Sequence, residues 1–359
     1  MKKIVLAVMG LLAVGLILVG QSFADDRFYV QHNLVSDGFV PADLVDPNMV
    51  NAWGLVSSPT SPWWIADNGT GRATLYNVST GAIPLVVTVP GAGGQQSAPT
   101  GLVFNGGTGF VVTNSGGTSA ARFIFAGEDG TISGFRGVPV VIAVNNSASG
   151  AVYKGLAIAS TTTGDFLYAT NFHAGTVDVF DSTFHPVTMP PGAFTDPTLP
   201  AGYAPFGIKD IGGTIYITYA LQDADKHDDV PGEGHGFINA FDTAGTLIRR
   251  VASRGRLNSP WGLALAPDGF GTFSGDLLVG NFGDGKINAF DPGALRGNGE
   301  YQQRGQLHSA AGPPLVIEGL WALAFGQGAP NNGPITTLFF TAGPGDEQHG
   351  LFGTLVVAP

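Results

Sequence analysis

The sequence predicts an all-β fold built from six repeated units. A small residue within an apolar segment recurs at positions 54, 101, 155, 207, 262 and 322, so the period is about 50 residues. The six copies read Trp53-Gly54-Leu55, Thr100-Gly101-Leu102, Lys154-Gly155-Leu156, Phe206-Gly207-Ile208, Trp261-Gly262-Leu263 and Trp321-Ala322-Leu323. No unit contains a long stretch in which apolar residues recur with the spacing of an α-helix, and this excludes a helical solenoid. Six units of four strands, arranged radially, close a ring, so we predict a six-bladed β-propeller.

The glycine and proline content supports the same fold class. The chain has 55 Gly and 24 Pro, and only 12% of its residues are charged. The Gly and Pro residues lie between runs of Val, Ile, Leu, Phe and Tyr. This arrangement is typical of turns between strands rather than of a disordered segment.

Each unit continues with a second and a third strand. Both are rich in β-branched and aromatic residues, and the third carries an aromatic residue near its end. The predicted second strands are residues 64–66, 110–113, 167–170, 215–218, 277–280 and 338–341. The predicted third strands are residues 73–76, 131–135, 176–180, 237–241, 286–290 and 351–355.

The two ends of the chain are predicted to close the ring. The last unit stops after its third strand and lacks an outer one, whereas residues 28–35 form a strand-like segment before the first unit. Because the chain contains no cysteine, a disulfide cannot join the ends. We therefore expect residues 28–35 to complete the sixth blade through hydrogen bonds.

Residues 1–24 are predicted to be a signal peptide. Two lysines precede an uncharged apolar run, and residues 22–24 supply small side chains for cleavage. The alternative is an uncleaved anchor, because the run is close to the ~17 to 25 residues that span a bilayer. We expect the mature chain, residues 25–359, to be a single domain in the periplasm or outside the cell, with no membrane contact after cleavage.

The charge of the chain limits its partners. The formal net charge is −11, and it is −13 once the two signal-peptide lysines are removed. Nucleic acid is excluded as a partner, because phosphate neutralisation needs concentrated positive charge. We expect a monomer that binds a small molecule, a glycan or an envelope protein.

Three stretches of the chain, residues 33–38, 46–55 and 123–134, resemble an uncharacterised family of exported bacterial proteins. The second strands ending in Ala-Asp-Asn or Thr-Asn and the third strands ending in Phe-Asp are similar to those of NHL-type six-bladed propellers. The resemblance covers nearly the whole mature chain and implies the fold, but it implies no activity. Some members carry a PEP-CTERM sorting tail. This sequence ends at Pro359 without one, so we expect release rather than sorting to the surface.

A second resemblance is to the calcium-dependent lactonase propellers. It implies a divalent ion on the axis, held by Asn, Asp and Glu near the starts of the inner strands. The residues at that position here are Trp53, Thr100, Lys154, Phe206, Trp261 and Trp321. The chain therefore departs from the lactonase pattern, because four aromatic side chains and a lysine cannot build an oxygen-ligand cage.

The loops between second and third strands are the predicted position of a site. In a propeller they share a face with the starts of the inner strands, and here they concentrate histidine and acidic residues. The candidate metal ligands are His173, Asp223, Asp225, Asp228, Asp229, His235, Asp346, Glu347 and His349. A divalent cation such as calcium is the candidate cofactor, and a solvated acidic loop is the alternative. An EF-hand is excluded, because His227 and Asp228 stand where an oxygen ligand and a glycine are required.

The residues before the small residues form a second candidate site. Trp53, Lys154, Phe206, Trp261 and Trp321 would line an aromatic-walled mouth, which could bind a ligand by stacking on sugar rings. The alternative is packing between blades, because strand alternation assigns Trp53 and Leu55 to one face of their strand.

The predicted function is therefore ligand or partner binding on the loop-rich face. The alternative is a metal-dependent hydrolase or lyase that uses His173, His235 and His349 with nearby carboxylates. The sequence has no cysteine and no Gly-x-Ser-x-Gly motif, so it lacks these two signatures of a catalytic nucleophile.

Overall fold

A computed structural model describes residues 27–359, and the predicted signal peptide lies outside the described residues. The strands before the first repeat are β1 (Tyr29–Ser36) and β2 (Leu44–Val45). Blade 1 contains β3 (Ala52–Val56), β4 (Trp63–Asp67), β5 (Arg72–Asn77), β6 (Gly81–Ala82) and β7 (Val87–Thr88). The next repeat contains β8 (Pro99–Phe104), β9 (Val111–Asn114), β10 (Gly117–Ala120), β11 (Phe123–Gly127), β12 (Thr131–Phe135) and β13 (Val141–Asn145).

The remaining four blades follow in chain order. Blade 3 contains β14 (Tyr153–Thr161), β15 (Gly164–Asn171) and β16 (Thr176–Asp181). Blade 4 contains β17 (Tyr203–Ile211), β18 (Thr214–Leu221), β19 (Phe237–Phe241) and β20 (Leu247–Ser253). Blade 5 contains β21 (Pro260–Leu265), β22 (Leu277–Asn281), β23 (Ile287–Leu295) and β24 (Tyr301–Gln306). The last repeat adds β25 (Leu320–Phe325), β26 (Leu338–Ala342) and β27 (Leu351–Val357).

The six sheets form a closed ring, which confirms the predicted six-bladed β-propeller. The inner strands β3, β8, β14, β17, β21 and β25 each contact the next one, and β25 contacts β3. The helical elements of residues 27–359 are the short 3₁₀ turns Asn68–Thr70, Ala92–Gly94, Ser147–Ser149 and Gly271–Phe273. None of the helices in this part of the chain is long and apolar enough to span a membrane.

The N-terminal strand closes the ring as predicted. Strand β1 pairs antiparallel with β27, from Tyr29 opposite Val357 to Ser36 opposite Leu351. Blade 6 thus has the order β25-β26-β27-β1-β2. Tyr29 is 1% exposed, and its hydroxyl donates a hydrogen bond of 2.9 Å to the carbonyl oxygen of Phe270 in blade 5. Strand β1 therefore supplies the outer strand that β25, β26 and β27 lack, and it also packs against blade 5.

The second strand of blade 2 differs from the predicted one. Residues 110–113 do not enter the blade; β9 pairs with β10 in an inserted hairpin, and β11 lies between β8 and β12. The reason is burial. Every residue of β11 is buried, whereas β9 buries only Val112. Blade 3 also departs from four strands, because its described sheet contains only β14, β15 and β16.

The repeated small residue is explained by the close approach of neighbouring inner strands. A Cβ atom on Gly207 would overlap the carbonyl oxygen of Trp261 in the next blade, and one on Gly101 would overlap the amide nitrogen of Leu156. Backbone atoms cannot move aside as the end of a flexible side chain can. The ring of inner strands therefore requires a very small residue at this position.

Every inner strand also carries one extra residue at the repeated phrase. In blade 3, Tyr153 and Gly155 are opposite the adjacent residues Asn171 and Thr170, so Lys154 has no partner in the ladder. The same one-residue shift occurs in blades 1, 2, 4, 5 and 6. Such a bulge redirects side chains. It explains why the residues before the small residues meet on the axis.

Candidate functional site

Aromatic side chains fill the propeller axis. Trp53 and Trp321 stack with their ring centroids 3.6 Å apart, and Trp261 meets both edge-on, at 6.0 and 5.8 Å. Phe206 is fully buried and meets Trp321 at 6.0 Å. Phe282 stacks on Trp321 at 4.1 Å. We call these five side chains the aromatic plug.

The predicted aromatic-walled mouth is therefore wrong for the structure described here. Trp53 and Trp321 are 2% and 1% exposed, and their faces are covered by the other rings of the plug. The alternative, packing between blades, describes Trp53 better, because it stacks on Trp321 of blade 6. Trp53 nevertheless belongs to the cluster on the axis, whereas Leu55 packs in a separate cluster. The bulge separates the two residues, which strict strand alternation would assign to one face.

Lys154 occupies the same ring position but carries a charge. It is 2% exposed, and its Nζ lies 5.2 Å from the centroid of the Trp53 ring. The Nζ donates hydrogen bonds to the Glu128 carboxylate and, at 2.9 Å, to Oδ1 of Asp228. Burial alone would lower the pKa of Lys154, but the carboxylates of Glu128 and Asp228 raise it above its ordinary value. The amine therefore stays protonated.

A chain of amide side chains extends this charge cluster to blades 1 and 6. Asn51 Nδ2 donates to Oε2 of Glu347 at 2.6 Å and to Oδ1 of Asn68 at 3.2 Å. Asn68 Nδ2 in turn donates to Oε2 of Glu128 at 2.9 Å. Trp321 Nε1 donates a hydrogen bond of 2.9 Å to Oδ1 of Asn51, so the aromatic plug fixes the position of the Asn51 side chain. The network joins residues of five blades around the axis.

The loop face is the face that carries the loops between the second and third strands. On this face lies a cavity of about 580 Å³, which we call the acidic pocket. Its acidic lining residues are Asp228, Asp229, Asp284, Glu318, Asp346 and Glu347. Among the described residues that line it, none is Lys or Arg. Phe282 of the aromatic plug also lines it, so an aromatic ring contributes to the wall.

Two of these carboxylates are strongly desolvated. Burial raises the pKa of Asp229, and its Oδ2 atom is buried without a hydrogen-bond partner among the described residues. Burial also raises the pKa of Glu347, where the nearby Glu128 adds to the effect and the hydrogen bond from Asn51 opposes it. The pocket therefore holds carboxyl groups that gain from a positively charged partner.

The structure brings together four of the nine predicted metal ligands. Asp228, Asp229, Asp346 and Glu347 all line the acidic pocket. The other five candidates are not among its lining residues: His173, Asp223, Asp225, His235 and His349.

The histidines that were predicted as ligands have other surroundings. His349 Nδ1 lies 2.7 Å from Oδ2 of Asp37, and its ring stacks on Phe39 at 3.9 Å. His235 Nδ1 lies 2.8 Å from the carbonyl oxygen of Val230. His173 is exposed. These three side chains therefore do not form the His/carboxylate centre that the enzyme alternative required.

A different trio has the spacing of a metal site. Ligand atoms of Glu128, His227 and Asp228 lie within 4.8 Å of one another, and this is the group of that kind found within residues 27–359. Sequence analysis predicted only Asp228 of the three. The ammonium group of Lys154 contacts both carboxylates, so it competes with any cation at this point.

Asn51, Asn68 and Glu128 were not among the predicted site residues. Asn51 lies two residues before Trp53, and that position at the start of an inner strand was the one signal that could have identified it. Asn68 stands at a repeat position where other units also have asparagine, at 114, 171 and 281, so a turn residue was the simpler interpretation. Glu128 directly follows β11, the strand that the predicted pattern of blade 2 did not use.

Comparison with known proteins defines the family. No protein-family model matches the chain. It is 34% identical over 332 residues to uncharacterized protein R648 of Acanthamoeba polyphaga mimivirus. This match covers 90% of this chain and 78% of that protein. It is also 34% identical over 334 residues to uncharacterized protein L690 of the same virus, spanning 90% and 84%. The chain belongs to the family of these mimivirus proteins.

Two solved structures have the same fold as this chain at low sequence identity. A protein of unknown function from Bacteroides thetaiotaomicron has a TM-score of 0.53 at 12% identity, covering 91% of this chain and 76% of that one. A catalytically inactive virginiamycin B lyase from Staphylococcus aureus, with quinupristin, has a TM-score of 0.50 at 13% identity, covering 91% and 98%. These likenesses show the propeller fold alone.

The family resemblance seen in the sequence is thus confirmed for the fold. The curated relatives are viral, whereas the resemblance implied a bacterial family. Bacterial membership, the NHL type of repeat and export stay predictions.

Proposed function

We propose that the protein is an exported binding protein whose acidic pocket takes a small organic cation. The observation that carries this proposal is the convergence of six carboxylates on one cavity of about 580 Å³ with no basic lining residue. A pocket of this size suits a small molecule, since ligand pockets typically measure ~300–1,000 Å³. A bare metal ion needs much less space, because its oxygen ligands lie within ~2.6 Å.

The wall of the pocket supports an amine rather than a neutral ligand. Clefts lined by charges of one sign raise the local concentration of oppositely charged ligands. Phe282 adds an aromatic face, which attracts an ammonium group. A neutral sugar would add no positive charge beside the carboxylates of Asp229 and Glu347, whose burial Lys154 offsets only in part, so the glycan alternative is less favourable.

The test is calorimetric titration of the purified protein with putrescine, spermidine, choline, calcium chloride and a neutral oligosaccharide. We expect an amine to bind and the neutral sugar to give no heat. Glu347→Gln should weaken amine binding about tenfold, because it removes a charged hydrogen-bond acceptor. Asp225→Asn is the matched control, since Asp225 is exposed and does not line the pocket. Equal effects of the two substitutions, or no amine binding at all, would contradict the proposal.

Export is the second part of the proposal and rests on the apolar N-terminal run. It is tested by expressing the full chain in a bacterial host and sequencing the N-terminus of the protein in the periplasmic and medium fractions. Cleavage after residue 24 is the expected result. A protein that keeps Met1 and stays with the membrane fraction would favour the uncleaved anchor.

A metal-dependent hydrolase or lyase is the second candidate, and the spacing of Glu128, His227 and Asp228 is the observation in its favour. Elemental analysis of the purified protein, followed by titration of chelator-treated protein with calcium, zinc and manganese, tests it. The candidate requires a bound metal whose affinity falls in His227→Ala. It is rejected if none of the three metals gives heat or shifts the melting temperature.

A further inference from the structure

A second cavity lies on the axis at the end opposite the loop face. The inner strands begin at the loop face, so the residues that follow each small residue run away from it. These segments of all six inner strands line a cavity of about 170 Å³, which we call the axial cavity. Trp261 also lines it, so the aromatic plug separates the axial cavity from the acidic pocket. The two cavities are therefore distinct sites.

Most of the side chains that line the axial cavity are apolar, whereas six of those that line the acidic pocket are carboxylates. Leu102, Leu156, Leu263 and Leu323 each come from a different blade. An apolar cavity of about 150 Å³ can stay dry and hold a molecule the size of benzene. The axial cavity thus has room for a single ring or a short alkyl chain.

Lys209 gives this apolar cavity one positive group. It is the only basic residue among the described lining residues, and within residues 27–359 its Nζ forms no hydrogen bond or ion pair. Its neighbour Asp210 also lines the cavity, but Asp210 Oδ1 accepts a hydrogen bond of 3.0 Å from the backbone amide of Gly213. Burial lowers the pKa of Lys209, and the charge of Asp210 opposes this effect. The ammonium group is therefore partly shielded from water, and Asp210 is a neighbouring charge that forms no ion pair with it.

We propose that the axial cavity binds a small apolar carboxylate, of the size of benzoate or hexanoate, with its carboxylate on Lys209. The ring or alkyl chain occupies the space between the leucines, and the carboxylate supplies the charge-assisted hydrogen bond that the Lys209 ammonium lacks. Both parts of the ligand are needed: the cavity is too small and apolar for a sugar, and the ammonium disfavours a wholly apolar ligand.

The experiment titrates the purified protein with sodium benzoate and sodium hexanoate while tryptophan fluorescence and heat are recorded. Trp261 lines the cavity, so binding should change the fluorescence. Benzyl alcohol and 1-hexanol are the neutral counterparts and should bind at least about tenfold more weakly. Carboxylates that bind no better than the alcohols, or that do not bind, would overturn the proposal.

Substitution locates the contact. Lys209→Met should abolish the preference for carboxylate over alcohol, whereas Lys209→Arg should retain it because the charge is kept. Lys226→Met is the matched control, since Lys226 is exposed on the loop face and does not line the axial cavity. Loss of binding in the Lys226 variant, or an unchanged preference in Lys209→Met, would overturn the assignment. Amine binding in the acidic pocket should be unaffected by either Lys209 variant.

Discussion

The Nζ atom of Lys154 lies 2.9 Å from Oδ1 of Asp228, which joins the inner strand of blade 3 to a loop of blade 4 beside the propeller axis. Lys154 also pairs with Glu128 of blade 2, and only 14% of the Glu128 side chain is exposed. One buried cation thus holds carboxylates from two blades at the margin of the acidic pocket. Its removal would leave the largely buried Glu128 carboxylate without its cation and next to the charge of Asp228.

Lys154→Met is therefore expected to lower the free energy of unfolding by about 3 kcal/mol at neutral pH. The cause is the unpaired and largely buried Glu128 carboxylate. Urea denaturation followed by tryptophan fluorescence measures the effect. Lys226→Met is the control, because it removes an exposed lysine from the neighbouring loop and should change stability by less than about 0.5 kcal/mol. A loss of the same size in both variants would refute the structural role of Lys154.

Tyr29→Ala tests the closure of the ring by β1. The side chain is 1% exposed and packs on Phe270 and Phe273, with centroids at 4.8 and 6.1 Å. Removing a buried aromatic side chain typically costs about 3 to 5 kcal/mol. Val30→Ala is a control in the same strand, because Val30 is 43% exposed. Thermal denaturation of the two variants should differ clearly, and similar melting temperatures would contradict the closure model.

Gly207→Ala tests the close approach of the inner strands. The added methyl group would overlap the Trp261 carbonyl oxygen, so the backbones must separate, and we expect a loss of about 1 to 3 kcal/mol. Gly297→Ala is the control, because a Cβ there meets nothing within 4 Å and its φ is not in the left-handed region. Urea denaturation compares them. A Gly207 variant as stable as the control would mean that the small residue recurs for another reason.

Asp276→Asn tests the pH dependence of stability. Burial raises the pKa of Asp276 to about 6, against the opposing charge of Arg304 and with support from Asp291. Because the folded protein holds this proton more tightly than the unfolded chain does, the contribution of Asp276 to stability is complete below about pH 4 and is lost as pH rises through 6. The wild type should lose stability relative to Asp276→Asn between pH 4 and 7. Denaturation at several pH values measures this, and a difference that stays constant over that range would contradict it.

Prediction from sequence succeeded where the signal was local. The second and third strands of blades 1, 3, 4, 5 and 6 occur where their alternating and aromatic patterns predicted them. In blade 2 the third strand, Thr131–Phe135, was predicted correctly, but the second was placed at residues 110–113, whereas Phe123–Gly127 occupies that position in the sheet. Only packing against the neighbouring strands could choose between them.

The candidate site was predicted only in part for a similar reason. The loop face was expected to be acidic, and Asp228, Asp229, Asp346 and Glu347 do share a pocket. The hydrogen bond between Asn51 and Glu347 joins residues 296 positions apart in the chain. No local pattern in the sequence indicates such a contact.

The sequence by itself determined the number of blades, because each unit carries its own small and apolar residues. It also determined the closure of the ring, because residues 28–35 supply the outer strand that the last unit lacks. Only the tertiary structure decided what the repeated phrase does. The one-residue bulge in each inner strand turns Trp53, Lys154 and Trp321 toward the axis, where the tryptophans plug the channel instead of lining an open mouth. Bulges form because two strands must fit together, so their effect on side-chain direction cannot be inferred from either strand alone.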